Sequence, residues 1–143
     1  MKYRTVAACF LASLVSLSSA HAAVLISGDN GGRIDTYLNK FEMVRASGEQ
    51  VVIDGPCLSA CTLVLSAVPR DRICVTRRAS LGFHAAWQFG QSGMPVRSAG
   101  GTDLLWAAYP TNVQHWISRN GGLRARMIFL RGRELSAMYQ PCQ

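Results

Sequence analysis

Apolar positions along the chain fall into short blocks separated by glycine, proline and polar turns. "AVLISG" (Ala23 to Gly28) is a continuous apolar run of strand length and reads as a buried strand, and "DNGG" (Asp29 to Gly32) reads as a turn. From Ile34 to Ala46 the apolar residues Ile34, Tyr37, Leu38, Phe41 and Val44 recur at helical offsets. Ser47 and Gly48 supply the usual stop. "VVI" (Val51 to Ile53) reads as a short strand before the turn "DGP". "SACTLVLSAV" (Ser59 to Val68) follows that turn and reads as a helix, and "ICV" (Ile73 to Val75) and "SLGFHA" (Ser80 to Ala85) read as strands. Strand, helix, strand, helix, strand, strand, with short connections, predicts an α/β fold: a mainly parallel sheet of βαβ units. "QFGQSGMPVRSAGG" (Gln88 to Gly101) reads as a loop. A helical segment begins at Thr102 and Asp103 and breaks at Pro110, and a second runs from Thr111 to the "NGG" ending at Gly122. "RARMIFLRG" and "RELSAMY" are read as completing a helical C-terminal third.

The start of the chain does not belong to this pattern. Lys2 and Arg4 precede an apolar core, "VAACFLASLVSL", too short to span a bilayer as a helix, and "AHA" (Ala20 to Ala22) is a small-x-small cleavage site. Residues 1–22 therefore read as a secretory signal peptide and residues 23–143 as a single domain, periplasmic or secreted. Removing Lys2 and Arg4 lowers the formal charge from +7 to +5. The remaining basic residues are scattered and not interleaved with aromatics, which argues against nucleic acid. No further apolar stretch is long enough for a membrane span, so no membrane partner is expected after signal removal.

Cys57, Cys61, Cys74 and Cys142 remain, an even number in an exported chain, which favours disulfides. Zinc is the rival, but only His84 and His115 follow the signal segment and no C-x-x-C pair exists, so neither metal nor cofactor is expected. Cys57 and Cys61 lie across a turn entering a helix, where Cα atoms about 6 Å apart can be bridged. That pairing leaves Cys74 for Cys142; a Cys57–Cys142 link is the competing connectivity.

"GPCLSAC" (Gly55 to Cys61) places Ser59 where a strand turns into a helix, beside free backbone N–H groups and the positive end of the helix dipole. A serine hydroxyl becomes a nucleophile when a base takes its proton and donors hold the developing oxyanion. His84, inside the apolar "LGFHAA", is the candidate base. The Ala60 N–H and the turn at Gly31 and Gly32 are candidate oxyanion donors, since glycine lets backbone approach a ligand closely. The plainer reading makes Ser59 a helix N-cap and His84 a packed strand residue. The distance between the two side chains decides.

The run from "DNGG" to "GFHAA" resembles the core of the ClpP and crotonase-like superfamily. More narrowly, "C-x-S-A-C" is similar to the signature of periplasmic ClpP-like proteins of proteobacteria. The resemblance implies a ClpP/crotonase-like fold with Gly31 and Gly32 at the oxyanion turn, Ser59 as nucleophile and His84 as base. It also implies an acidic third residue from the C-terminal part. No aspartate stands at the matching place, where Gly132 and Arg133 lie; Asp103 and Glu134 are the nearest acids. A serine–lysine dyad would need Lys40, in the preceding helix. Two functions follow as expectations. One is an exported serine hydrolase cleaving peptides with a Ser59–His84 dyad or incomplete triad. The other is a catalytically inactive module that binds a peptide or protein partner. Homo-oligomers are an assembly form that the resemblance also implies.

Overall fold

A computed structural model of the chain describes residues 22–143; the signal segment expected over residues 1–22 lies outside the described residues except for Ala22. The elements are β1 (Ala23–Ile26), α1 (Ile34–Ser47), β2 (Gln50–Ile53) and β3 (Pro56–Leu58). A 3-10 turn (Ser59–Leu63) then runs into α2 (Val64–Ala67), followed by β4 (Ile73–Val75) and β5 (Ser80–Phe83). After them come β6 (Trp87–Phe89), β7 (Pro95–Arg97), α3 (Ala99–Ala108), α4 (Thr111–Arg119), β8 (Ile128–Arg131), α5 (Gly132–Met138) and β9 (Gln140–Pro141).

The fold is mixed α/β, as the alternation of patterns implies. One sheet is wholly parallel, in the order β1-β2-β4-β9. In a second, ordered β3-β5-β8, β3 and β5 run parallel and β8 antiparallel. Helix α1 returns the chain from β1 to β2 and buries Phe41 and Val44. It ends where Gly48 turns left-handed at φ 78° and its N–H reaches Arg45 O. The central strands bury Val51, Ile53, Ile73 and Val75 against Leu63, Val64 and Phe41. The second sheet adds Leu81, Phe83 and Leu130.

Several expected elements differ. β1 is an edge strand, so Leu25 is exposed although its run is apolar. The expected helix from Ser59 to Val68 is a 3-10 turn with a single α-helical turn after it. β3 begins inside the expected "DGP" turn, with Pro56 as first strand residue, where its missing N–H costs no ladder bond. The expected loop from Gln88 to Gly101 contains strand β7 of the antiparallel hairpin β6–β7, whose Trp87 side starts just before it. The C-terminal third is not all helical: "IFLR" is β8, with Leu130 turned into the core and Phe129 outward. That period-2 alternation is short and flanked by arginines, which hid it.

Two disulfides close the fold. Cys57 joins Cys61 across the 3-10 turn with Cα atoms 5.3 Å apart. Cys74 on β4 joins Cys142 with Cα atoms 4.9 Å apart, beside the pairing of β4 with β9. The connectivity is the one the spacing favoured. Chain entropy scales with the closed loop, giving about 2 kcal/mol for the short bridge and about 4 kcal/mol for the long one. Replacing Cys74 and Cys142 together by alanine should therefore lower unfolding free energy by about 4 kcal/mol in urea titration. An unchanged midpoint would show that the bridge does not constrain the unfolded chain.

Candidate functional site

Ser59 and His84 leave the C-terminal ends of the adjacent parallel strands β3 and β5, where Leu58 pairs with Gly82. The site thus sits at the end of the sheet where open α/β folds hold ligands. Ser59 adopts φ 56° and is the sole described residue other than glycine with positive φ. This left-handed backbone costs a side-chain-bearing residue roughly 1–2 kcal/mol. The Ser59 hydroxyl makes no bond to an N–H of its own turn, whose N-cap position is held by Leu58. The hydroxyl instead meets His84 Nε2 at 2.8 Å.

The other ring nitrogen sets the proton positions. His84 Nδ1 lies 2.7 Å from Ala85 O, a carbonyl that can only accept. The Nδ1 hydrogen is therefore donated to that carbonyl, and Nε2 of the neutral ring accepts the Ser59 hydroxyl hydrogen. Ala85 is itself held, because its N–H donates to Arg124 O at 2.7 Å. Next along the chain, the Ala86 N–H donates to the buried Thr102 hydroxyl of α3 at 3.1 Å.

The geometry corrects the expected acid. Asp103 is exposed on α3 and Glu134 accepts from Trp116 Nε1 at 3.3 Å; neither bonds His84. The carbonyl of Ala85 stands where a third residue would. Lys40 also goes elsewhere, to Asp29 Oδ2 at 3.2 Å.

Gly31 makes the serine turn possible. It has φ 78°, and a Cβ there would lie 2.5 Å from Leu58 O and 2.7 Å from both Ala60 N and Ser59 Cβ. The turn lies directly against the start of the 3-10 helix. Of the expected oxyanion donors, Gly31 is otherwise engaged, since its N–H donates to Asp29 Oδ1 at 2.8 Å. The Gly32 N–H has no acceptor among the described residues, and the Ala60 N–H sits in the first turn, without an intrahelical partner.

Asp29 ties these parts together. Its backbone N–H donates to Pro56 O and its carbonyl accepts from the Leu58 N–H, both at 2.8 Å. Its carboxylate receives the Gly31 N–H, the Tyr37 hydroxyl at 2.5 Å and Lys40. Burial pushes the Asp29 carboxyl up, but the bonds from Tyr37, Gly31 and Lys40 outweigh it and hold it below the usual range. The Tyr37 phenol is pushed up to about 12 by burial and by that bond to Asp29.

On the other side of Ser59 is a connection the sequence analysis did not find. The Thr62 hydroxyl donates to Ser59 O at 2.6 Å, and the Tyr109 hydroxyl lies 2.7 Å from Thr62 Oγ1. Thr62 has one hydrogen and spends it on Ser59, so Tyr109 is the donor in the second bond. Burial pushes the Tyr109 phenol up to about 12, keeping that hydrogen in place. A Ser-x-x-Thr spacing at a helix start is the signal for the first bond, since Thr reaches back to the carbonyl three residues before. Nothing local marks Tyr109.

An apolar cavity of about 440 Å³ opens from His84 beneath the β6–β7 hairpin. A shallower depression of about 570 Å³ around Arg70 and Tyr139 contains neither Ser59 nor His84. Among the described residues no group of three His, Cys, Asp or Glu side chains could hold a metal ion, and no helix is long and apolar enough to cross a membrane.

No family model matches this chain, and no curated protein matches it.

Two outcomes test this geometry. Thr62→Val leaves both Ser59 O and the buried Tyr109 hydroxyl without their partner and should cost about 2–3 kcal/mol; Tyr109→Phe removes one donor and should cost about 1 kcal/mol. Denaturant titration of both single variants and the double should give less than the sum, because the residues share one chain of bonds. Equal costs, or strict additivity, would break the chain as drawn. The second outcome concerns acid. A carboxyl lowered in the folded protein adds stability that is fully present above its ordinary value and is lost as pH falls through the lowered one. Stability should fall below about pH 4, with Asp54, Asp35 and Glu42 contributing through their exposed arginine partners. Asp29→Asn should show a shallower decline over that range; an identical slope would mean that Asp29 is not held as an anion.

Proposed function

We propose that the protein is an exported serine hydrolase of ClpP/crotonase-like type, acting on acyl groups through a Ser59–His84 dyad. The 2.8 Å contact between Ser59 Oγ and His84 Nε2, made by a serine in a left-handed conformation, carries this reading. A cap serine has no need of either feature. Peptides are the default substrates by analogy with the family it resembles. The two disulfides support export to an oxidising compartment, periplasmic or extracellular.

Ser59 Oγ attacks the carbonyl carbon and its proton passes to His84 Nε2. The Gly32 and Ala60 N–H groups receive the oxyanion. The proton then goes to the leaving group, which departs and leaves an ester on Ser59. His84 next takes a proton from water, the hydroxide attacks the ester, and the acid leaves as Ser59 recovers its hydrogen. Loss of an orienting acid costs about 10⁴-fold when it leaves the imidazole in the wrong tautomer. Here Ala85 O fixes the tautomer without a charge. The dyad keeps its orientation but lacks the negative group that would stabilise the imidazolium.

That missing charge favours a second reading, a ClpP-like module that binds a peptide or protein partner without turnover. A fluorophosphonate probe separates the two. The hydrolase predicts labelling of the native protein that disappears in Ser59→Ala and falls at least about 100-fold in His84→Ala, the usual scale of a general base. Gly31→Ala, which places a methyl group against Ser59, should abolish labelling as well. A probe that reacts no faster with the native protein than with Ser59→Ala would leave the binding module.

A further inference from the structure

The apolar cavity beside His84 is not used by the chemistry above. Its walls are the hairpin residues Trp87, Phe89, Pro95 and Val96 with Ala85 and Ala86, and the single charged residue on it is Arg97. Trp87 and Phe89 stand edge to face, with ring centroids 5.3 Å apart, yet they are 52% and 70% exposed. Two aromatic rings ordered against each other at the mouth of a cavity, and left half open to solvent, form a surface suited to a flat or branched apolar group. Arg97 lies opposite Trp87 in the hairpin register and makes no ion pair among the described residues.

We infer that this cavity holds one side of the substrate, and that it takes a large apolar group with a carboxylate next to it, the apolar part against Trp87, Phe89 and Val96 and the carboxylate on Arg97. The inference rests on the hydrolase reading for its position relative to the scissile bond, but binding itself does not need Ser59. The anchor is a fork of N–H donors matched to a carboxylate. It also sits on a hairpin tied to the base: the Ala86 carbonyl accepts the Ser98 N–H at 2.9 Å, two residues from His84 and one from Arg97. A ligand that fills the cavity therefore lies against the same backbone that positions the imidazole. The carboxylate is that of an acidic side chain next to the apolar one.

The test uses nitrophenyl esters of N-acetyl-alanine, N-acetyl-phenylalanine and N-succinyl-phenylalanine, whose succinyl carboxylate stands in for an aspartate side chain, with N-acetyl-aspartyl-phenylalanine as the residue itself. Phenylalanine should exceed alanine in kcat/KM by at least about 10-fold, as burial of an aromatic ring implies. The succinyl and aspartyl esters should each exceed the acetyl one by about 5-fold. That second ratio should collapse to about 1 in Arg97→Gln and shrink in high salt, because the pair is exposed. In parallel, binding of N-succinyl-phenylalanine amide to Ser59→Ala is followed by tryptophan fluorescence, with Trp87→Phe as the control. Turnover that depends on Ser59 but shows neither preference overturns the cavity assignment and leaves the hydrolase. Saturable binding that is lost in Arg97→Gln, without turnover by the native protein, upholds the cavity and overturns the hydrolase. Neither turnover nor binding overturns both.

Discussion

Everything at this site depends on one backbone conformation, the left-handed turn at Ser59. An ordinary helix start would aim the hydroxyl at its own N–H groups. The positive φ aims it across the sheet end at His84 instead. The conformation is unfavourable in isolation and survives because its surroundings over-determine it. Gly31, having no side chain, gives the turn room to pack against it, Thr62 holds the serine carbonyl, and the Cys57–Cys61 bridge closes the residues on either side. Each contribution is of a different kind: steric room, a hydrogen bond, a covalent bond.

The same economy extends outward. Asp29 joins the β3 end, the glycine turn and α1 through bonds to Pro56, Leu58, Gly31, Tyr37 and Lys40. Tyr109, at the break between α3 and α4, reaches Ser59 through Thr62 and packs edge-on against Phe83, the residue before His84, with centroids 5.3 Å apart. Thus the helical region after the hairpin, which places no acid against His84, steadies both Ser59 and His84 from behind.

What could be seen in the chain before its fold was known follows from the kind of signal each part leaves. Helix α1 has a full set of apolar positions at helical offsets and a glycine stop, and the cysteine spacing reflects a local turn; both were legible. The order of strands around Ser59 and His84 was legible because glycine and proline punctuate it. β8 was not, since four residues between arginines carry too little alternation to outweigh a helical neighbourhood. The hairpin was hidden by its glycines, which read as loop although they also build turns. An acid on His84 was what the resemblance implied, with Asp103 and Glu134 only the nearest candidates. Its actual partner, Ala85 O, belongs to a group that every residue possesses, so no pattern of letters could mark it.

That carbonyl has a consequence for how the imidazole is governed. A carboxylate partner is a second titrating group, and its own ionisation decides whether the ring is held. An amide oxygen gains and loses no proton in the range where the protein stays folded. The orientation of His84 is accordingly set by the course of the chain through Ala85 and Arg124 and is the same whatever the acidity outside.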